Sequence, residues 1–122
     1  MPGQLQFFKA EFFKALAHPV RIRILEVLRD SEKSVTEIQG LLSLDQSTIS
    51  QQLSILRAKN LLQTRKVGTS VIYSVRDPMI YDLLDVARTI FNNHLIDTQE
   101  LLSQLDKETP GASSDKPSED GK

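Results

Sequence analysis

Apolar residues recur along this chain mostly with helical spacing. Leu5, Phe8, Phe12 and Leu16 lie three or four apart, with Phe7 and Phe13 widening the stripe, which predicts a first helix over about residues 4–17. His18-Pro19 reads as a boundary, since proline in a first helical turn needs no N–H partner and pushes the residue before it out of the helical region. Val20, Ile24, Leu25 and Leu28 then form the buried side of a second helix, about 19–30. Ser34-Val35-Thr36-Glu37 matches a capping box and opens a short third helix that buries Val35, Ile38, Leu41 and Leu42. Leu44-Asp45 makes a turn, with Asp45 as the N-cap of a fourth helix that buries Ile49, Leu53 and Leu56. After Asn60 the period changes. Thr64 to Val67 and Val71 to Val75 alternate β-branched residues around Gly68-Thr69, the pattern of a hairpin. Asp77-Pro78 restarts a helix in which Ile80, Leu83, Leu84, Ala87, Ile90, Phe91, Leu95, Leu101, Leu102 and Leu105 continue at helical spacing for nearly thirty residues. The expected fold is mainly α with a small β-hairpin: four helices, two strands and a final long helix.

Two short helices joined by a few residues, the second with an outward polar face, form a helix-turn-helix arrangement, and the hairpin after it reads as a wing. With Ile49, Leu53 and Leu56 turned inward, Ser47, Gln51 and Ser54 point outward, flanked by Thr48 and Ser50. That face has hydrogen-bonding groups and no acid. Residues 45–76 contain Arg57, Lys59, Arg65, Lys66 and Arg76 against the single acid Asp45, so positive charge gathers where a phosphate backbone would need it. The expected partner is double-stranded DNA. Gln51 is the best candidate for a base contact, because its amide can pair both groups on the adenine edge in the major groove. Ser47, Thr48 and Ser50 suit phosphate or sugar, Ser54 and Arg57 extend the same face, and Arg65, Lys66 and the amides of Gly68 and Thr69 would grip backbone beyond the helix. The plain alternative for each is a solvated surface; agreement of helix, wing and local charge favours DNA.

Composition narrows the rest. A chain of 122 residues, 39% hydrophobic and 25% charged, suits one ordinary domain, expected over residues 1–105. Five acids and three lysines lie from Asp106 onward, so the formal charge of −1 hides a body of about +1. The stretch TPGASSDKPSEDGK has no large apolar residue to bury, and residues 106–122 are expected to form a disordered polar tail. The absence of cysteine excludes disulfides, thiolate metal sites and a cysteine nucleophile. No apolar run approaches a membrane span and no secretory signal opens the chain, which makes a cytoplasmic location the default. Four of the five phenylalanines lie in the first helix, and the last helix is longer than a small domain covers alone. Both are expected to pair with their copies across a two-fold axis, through Phe8, Phe12, Leu83, Leu84, Ala87, Ile90 and Phe91.

The order of elements, together with ALAHPVRIRILEVL (15–28), QSTISQQLSILRAKNLL (46–62) and RKVGTSVIYSV (65–75), resembles the ArsR-SmtB family of bacterial winged helix-turn-helix repressors over roughly residues 5–105. The first stretch stands where that family carries an "LADPTRLRIL"-like segment. The resemblance implies a homodimer that binds an imperfect inverted repeat and dissociates when a signal arrives. It also exposes a departure. Metal-sensing members carry cysteines at the start of the third helix, where this chain has Ser34 and Thr36; others bind zinc or nickel through positions that match Asp77, Met79, Ile90 and Asn93 here. Of these only the aspartate is retained, and helix capping explains it.

Candidate chemistry outside the DNA face is sparse. His94 and Asp97 stand three apart on the last helix and could contribute to a noncanonical metal site, although two ligands fall short of the usual three or four; a solvent-facing pair is the plain reading. No cofactor is evident beyond such a metal effector. His18 reads as a boundary residue, remote from the other histidine. A glycine-rich phosphate loop, a Ser-His-acid set and an acid pair are all missing, which argues against an enzyme. A winged-helix interaction module without DNA binding would be expected to lose the basic wing or gain acids on the fourth helix. The expected function is transcriptional repression, with release through an unusual metal site, a small effector between the long helices, or a separate sensor protein.

Overall fold

The computed structural model describes residues 3–108. Its elements are α1 (Gln4–Leu16), α2 (Pro19–Val27), β1 (Lys33–Ser34), α3 (Val35–Leu42), α4 (Gln46–Ala58), β2 (Leu62–Val67), β3 (Ser70–Val75) and α5 (Met79–Glu108). The expected helices and both wing strands are present, each wing strand extended at its start. The polar segment 109–122 lies outside the described residues, and the helix reaches past position 105 to Glu108.

Each junction carries the cap its residues supply. His18 is extended and its Nδ1 accepts from the Val20 N–H at 3.1 Å, with Pro19 in the first turn. Ser34 and Glu37 complete the reciprocal capping box, at 3.2 Å from the Glu37 N–H to the serine hydroxyl and 2.8 Å from the Ser34 N–H to the carboxylate. At the end of α4, Asn60 takes the left-handed conformation with φ 63°. The Leu61 N–H then reaches back to the Leu56 carbonyl at 2.9 Å and the Asn60 N–H to that of Arg57 at 3.0 Å. This is a Schellman turn, closed by the buried pair Leu56 and Leu61.

The wing differs from the expected two-stranded hairpin. The sheet has three antiparallel strands in the order β1-β3-β2, with Ser34 opposite Ile72 and Arg65 opposite Ile72 on its other side. Two residues are too short a run to show alternation, and the capping box masked their second role. Along β2 the inward face is Leu62 and Thr64, whereas Gln63 and Arg65 are exposed. Leu41 is a second correction: expected in the core, it is 57% exposed, while Ile38 and Leu42 on the same helix are buried.

The chain divides into two compact units, one ending at Met79 and one beginning at Ile80. In the first, Ile24, Leu25, Ile38, Ile49, Leu53, Leu56 and Leu62 are fully buried and form the core. Two arginines from α2 tie its helices together. Arg21 donates from Nε to the buried Gln52 of α4 at 2.9 Å and from Nη1 to the Ala15 carbonyl at 3.1 Å, while Arg23 reaches the Leu42 carbonyl at 3.2 Å. Both therefore satisfy carbonyls that helix ends leave unpaired. The described part of the second unit is helix, with Val86, Ile90, Phe91, Leu95, Ile96, Leu101, Leu102 and Leu105 exposed. Among the described residues no helix is long and apolar enough to cross a membrane.

Two substitutions probe this core by urea unfolding. Leu53→Ala is expected to lose about 2–5 kcal/mol through the cavity it opens. Arg21→Ala is expected to lose about 1–3 kcal/mol by stranding the buried Gln52 amide; an unchanged unfolding midpoint would show that the arginine bridge contributes nothing.

Candidate nucleic-acid interface

The polar face of α4 is defined by what its other face buries. Ile49, Gln52, Leu53 and Leu56 are buried, which leaves Ser47, Gln51, Ser54 and Arg57 exposed and Thr48 and Ser50 half-buried at the margins. These six lie on one continuous helix. Asp45 organises its start: one carboxylate oxygen accepts the Thr48 N–H at 3.0 Å and the Ser47 hydroxyl, and the other accepts the Thr48 hydroxyl at 2.8 Å. Those bonds, the Ser47 hydroxyl first and then the Thr48 hydroxyl and amide, lower the Asp45 carboxyl to about 2. The protons of Ser47 and Thr48 are thus engaged within the protein, whereas Ser50, Gln51 and Ser54 carry no such tie to Asp45.

The wing presents Lys66, Val67, Gly68 and Thr69 to solvent. Gly68 has φ 63° with nothing near an added Cβ, so the turn needs its backbone freedom rather than its small size. Arg65 is different from Lys66. Its guanidinium holds Glu32 with both ends, Nε to Oε1 at 2.9 Å and Nη2 to Oε2. The hydrogen bond holds the Glu32 carboxyl below its usual range and raises Arg65. Counting charges along residues 45–76 had missed this acid, which comes from the turn before β1 and is brought near only by the sheet.

The remaining candidates divide between elements. Phe8 and Phe12 are exposed on α1, beside an open hollow of about 190 Å³ lined also by Glu11, Ala15 and Lys59. On α5, Leu83 and Leu84 are half-buried, and Ala87, Ile90 and Phe91 exposed. His94 and Asp97 are exposed one turn apart. Among the described residues no group of three or more histidine or acidic side chains could hold a metal ion. Asp77 accepts the Met79 N–H at 3.0 Å, the helix-capping role. Sequence reasoning missed Arg21, Gln52 and Glu32; the arginine-rich start of α2 was the one available signal.

Comparison with known proteins agrees with this geometry. Residues 18–64 match the model of the arsR family of bacterial regulatory proteins. The chain is 45% identical over 98 residues, 80% of its length and 86% of the relative's, to the HTH-type transcriptional regulator Rv0081 of Mycobacterium tuberculosis. The crystal structure of that protein superimposes with a TM-score of 0.72, covering 78% of this chain and 96% of that one. A Synechocystis transcriptional repressor, an SmtB homolog, is 39% identical over 61% of this chain and 56% of its own length. The homodimeric winged helix-turn-helix DNA-binding domain Mb0332 of Mycobacterium bovis, a possible ArsR-family regulator, has a TM-score of 0.68 at 26% identity, covering 77% and 87% of the two chains.

The Asp45 cluster has a pH signature. Because its carboxyl is depressed from 3.8 to about 2 in the folded chain, its capping contribution is complete above the unfolded value and is lost as pH falls toward the folded one. Side-chain carbon NMR is expected to follow this titration, and a midpoint at or above 3.8 would show that the hydroxyls do not hold the carboxylate.

Proposed function

Because the chain belongs to the arsR family of bacterial regulatory proteins and is a DNA-binding transcription regulator, not an enzyme, we propose that it acts as a homodimeric repressor on an inverted-repeat operator. The observation that carries this reading is the acid-free exposed face of α4, whose opposite side is buried and whose neighbour in sequence is a hairpin that exposes Lys66, Gly68 and Thr69. Each subunit lays α4 in a major groove, and the two helices stand about one helical turn, roughly 34 Å, apart. Gln51 reads a base edge, Ser50 and Ser54 contact the groove wall, and Arg57, Lys66 and the amides of Gly68 and Thr69 take phosphate. Ser47 and Thr48 fix the start of the helix through Asp45, which takes both hydroxyl protons and the Thr48 N–H, so they position α4 for the backbone instead of donating to phosphate themselves. The homodimer is supported by the exposed apolar faces of α1 and α5, by Phe8, Phe12, Ile90 and Phe91 above all, and by the homodimeric state of the similar M. bovis domain. The inducing signal is read by a separate sensor protein or at a site unlike those of the metal-sensing members.

Gln51→Ala is expected to relax sequence preference and to weaken operator binding by about 1–3 kcal/mol. Equal weakening on every duplex would deny it a base contact. For the signal, operator binding of the purified protein is expected to be unmoved by nickel, zinc or cobalt; a large response abolished by changing His94 or Asp97 would make this chain a direct metal sensor instead.

A further inference from the structure

The Arg65–Glu32 pair lies across the sheet rather than along it. β1 and β2 are the two edge strands, each bonded to β3 and not to the other. Ser34, Ile72 and Arg65 form one row across the three strands, so they share a face. Glu32, two residues before Ser34, continues that face and meets Arg65 end-on with two hydrogen bonds. Such a fork-to-fork pair fixes direction as well as distance, unlike a single lysine contact. The connection matters because β1 has only two residues and is the sheet's junction to α3. A guanidinium already neutralised by a carboxylate is a poor phosphate ligand, and one braced between two edge strands is a good strut.

We propose that Glu32, outside every element that faces DNA, is a positioning residue for DNA binding: through Arg65 it holds the wing at the angle from which Lys66, Gly68 and Thr69 reach phosphate. The inference rests on the DNA-binding reading above and assigns Arg65 to the strut instead of to phosphate. Lys33 reinforces the same turn, bonding Asp30 at 2.8 Å and the Ser31 hydroxyl at 2.9 Å. The charge pattern of this turn therefore serves wing geometry.

A charge swap separates the two roles of Arg65. In fluorescence anisotropy with one operator duplex and one unrelated duplex over a range of salt, Arg65→Glu alone is expected to weaken binding at least about tenfold on both. The double variant E32R/R65E restores the pair with reversed polarity and is expected to return affinity to within about threefold of wild type, with the wild-type salt slope. If Arg65 grips phosphate itself, the double variant stays as weak as R65E and its slope stays lower, which overturns the proposal. Tighter binding by Glu32→Gln would overturn it too, by making Glu32 a competitor of DNA. Far-UV circular dichroism and the thermal midpoint confirm that both exposed substitutions leave the fold intact. Failure of the wild-type protein to bind any duplex would instead reject the function, whatever the swap does.

Discussion

The outward face of α4 exists because its inward face has no freedom left. Ile49, Leu53 and Leu56 are without solvent exposure, and removing them from water supplies the dominant stabilisation of a small core. Burial of that stripe sets the rotation of the helix coarsely, because a larger turn would carry apolar side chains into water, and leaves only a small tolerance. The buried Gln52 removes that tolerance: its amide oxygen must meet Arg21, and Arg21 is itself anchored on the last carbonyls of α1. One polar bond among apolar contacts thus pins the rotation that burial of the stripe selects, and with it which side chains face outward. The caps at Asp45 and Asn60 fix its two ends.

Charge in this protein works at two ranges. Over the whole chain it nearly cancels, at −1. Over the DNA-facing surface the relevant count depends on which cations keep their charge available. Arg65 is paired with Glu32, so the field that a phosphate would meet under the proposed function comes from Arg57 and Lys66 more than from a tally of basic letters. The same distinction applies to hydroxyls. Ser47 and Thr48 spend their protons on Asp45, and under the proposed function the burden of reading would fall on Ser50, Gln51 and Ser54.

The two ends of the described chain share an opposite problem. α1 and α5 display phenylalanine, leucine and isoleucine to solvent in rows of the kind that the core hides. Exposed apolar area of that extent marks a surface that associates. A two-fold pairing would cover it and would set the spacing of two reading helices in the same step, so that assembly and recognition have one geometric cause.

Local rules were enough for most of the fold. Helix periods, the Ser34-Glu37 box, the Asp45 cap, the left-handed Asn60 and the Gly68 turn depend on residues within a few positions of one another, where backbone sterics and capping decide the outcome. For that reason the apolar stripe of α4, and hence its polar face, was legible in the sequence. Contacts between distant residues were not. Glu32 meets Arg65 across 33 positions, Arg21 meets Gln52 across 31, and the two-residue β1 is a strand only because β3 lies beside it. Leu41 has the spacing of a core residue, yet packing leaves it outside. Periodicity along the chain was enough to single out α4 as the helix with an outward polar face; which of its neighbouring charges and hydroxyls are left unpaired was settled by folding, because pairing depends on distance in space and not along the chain.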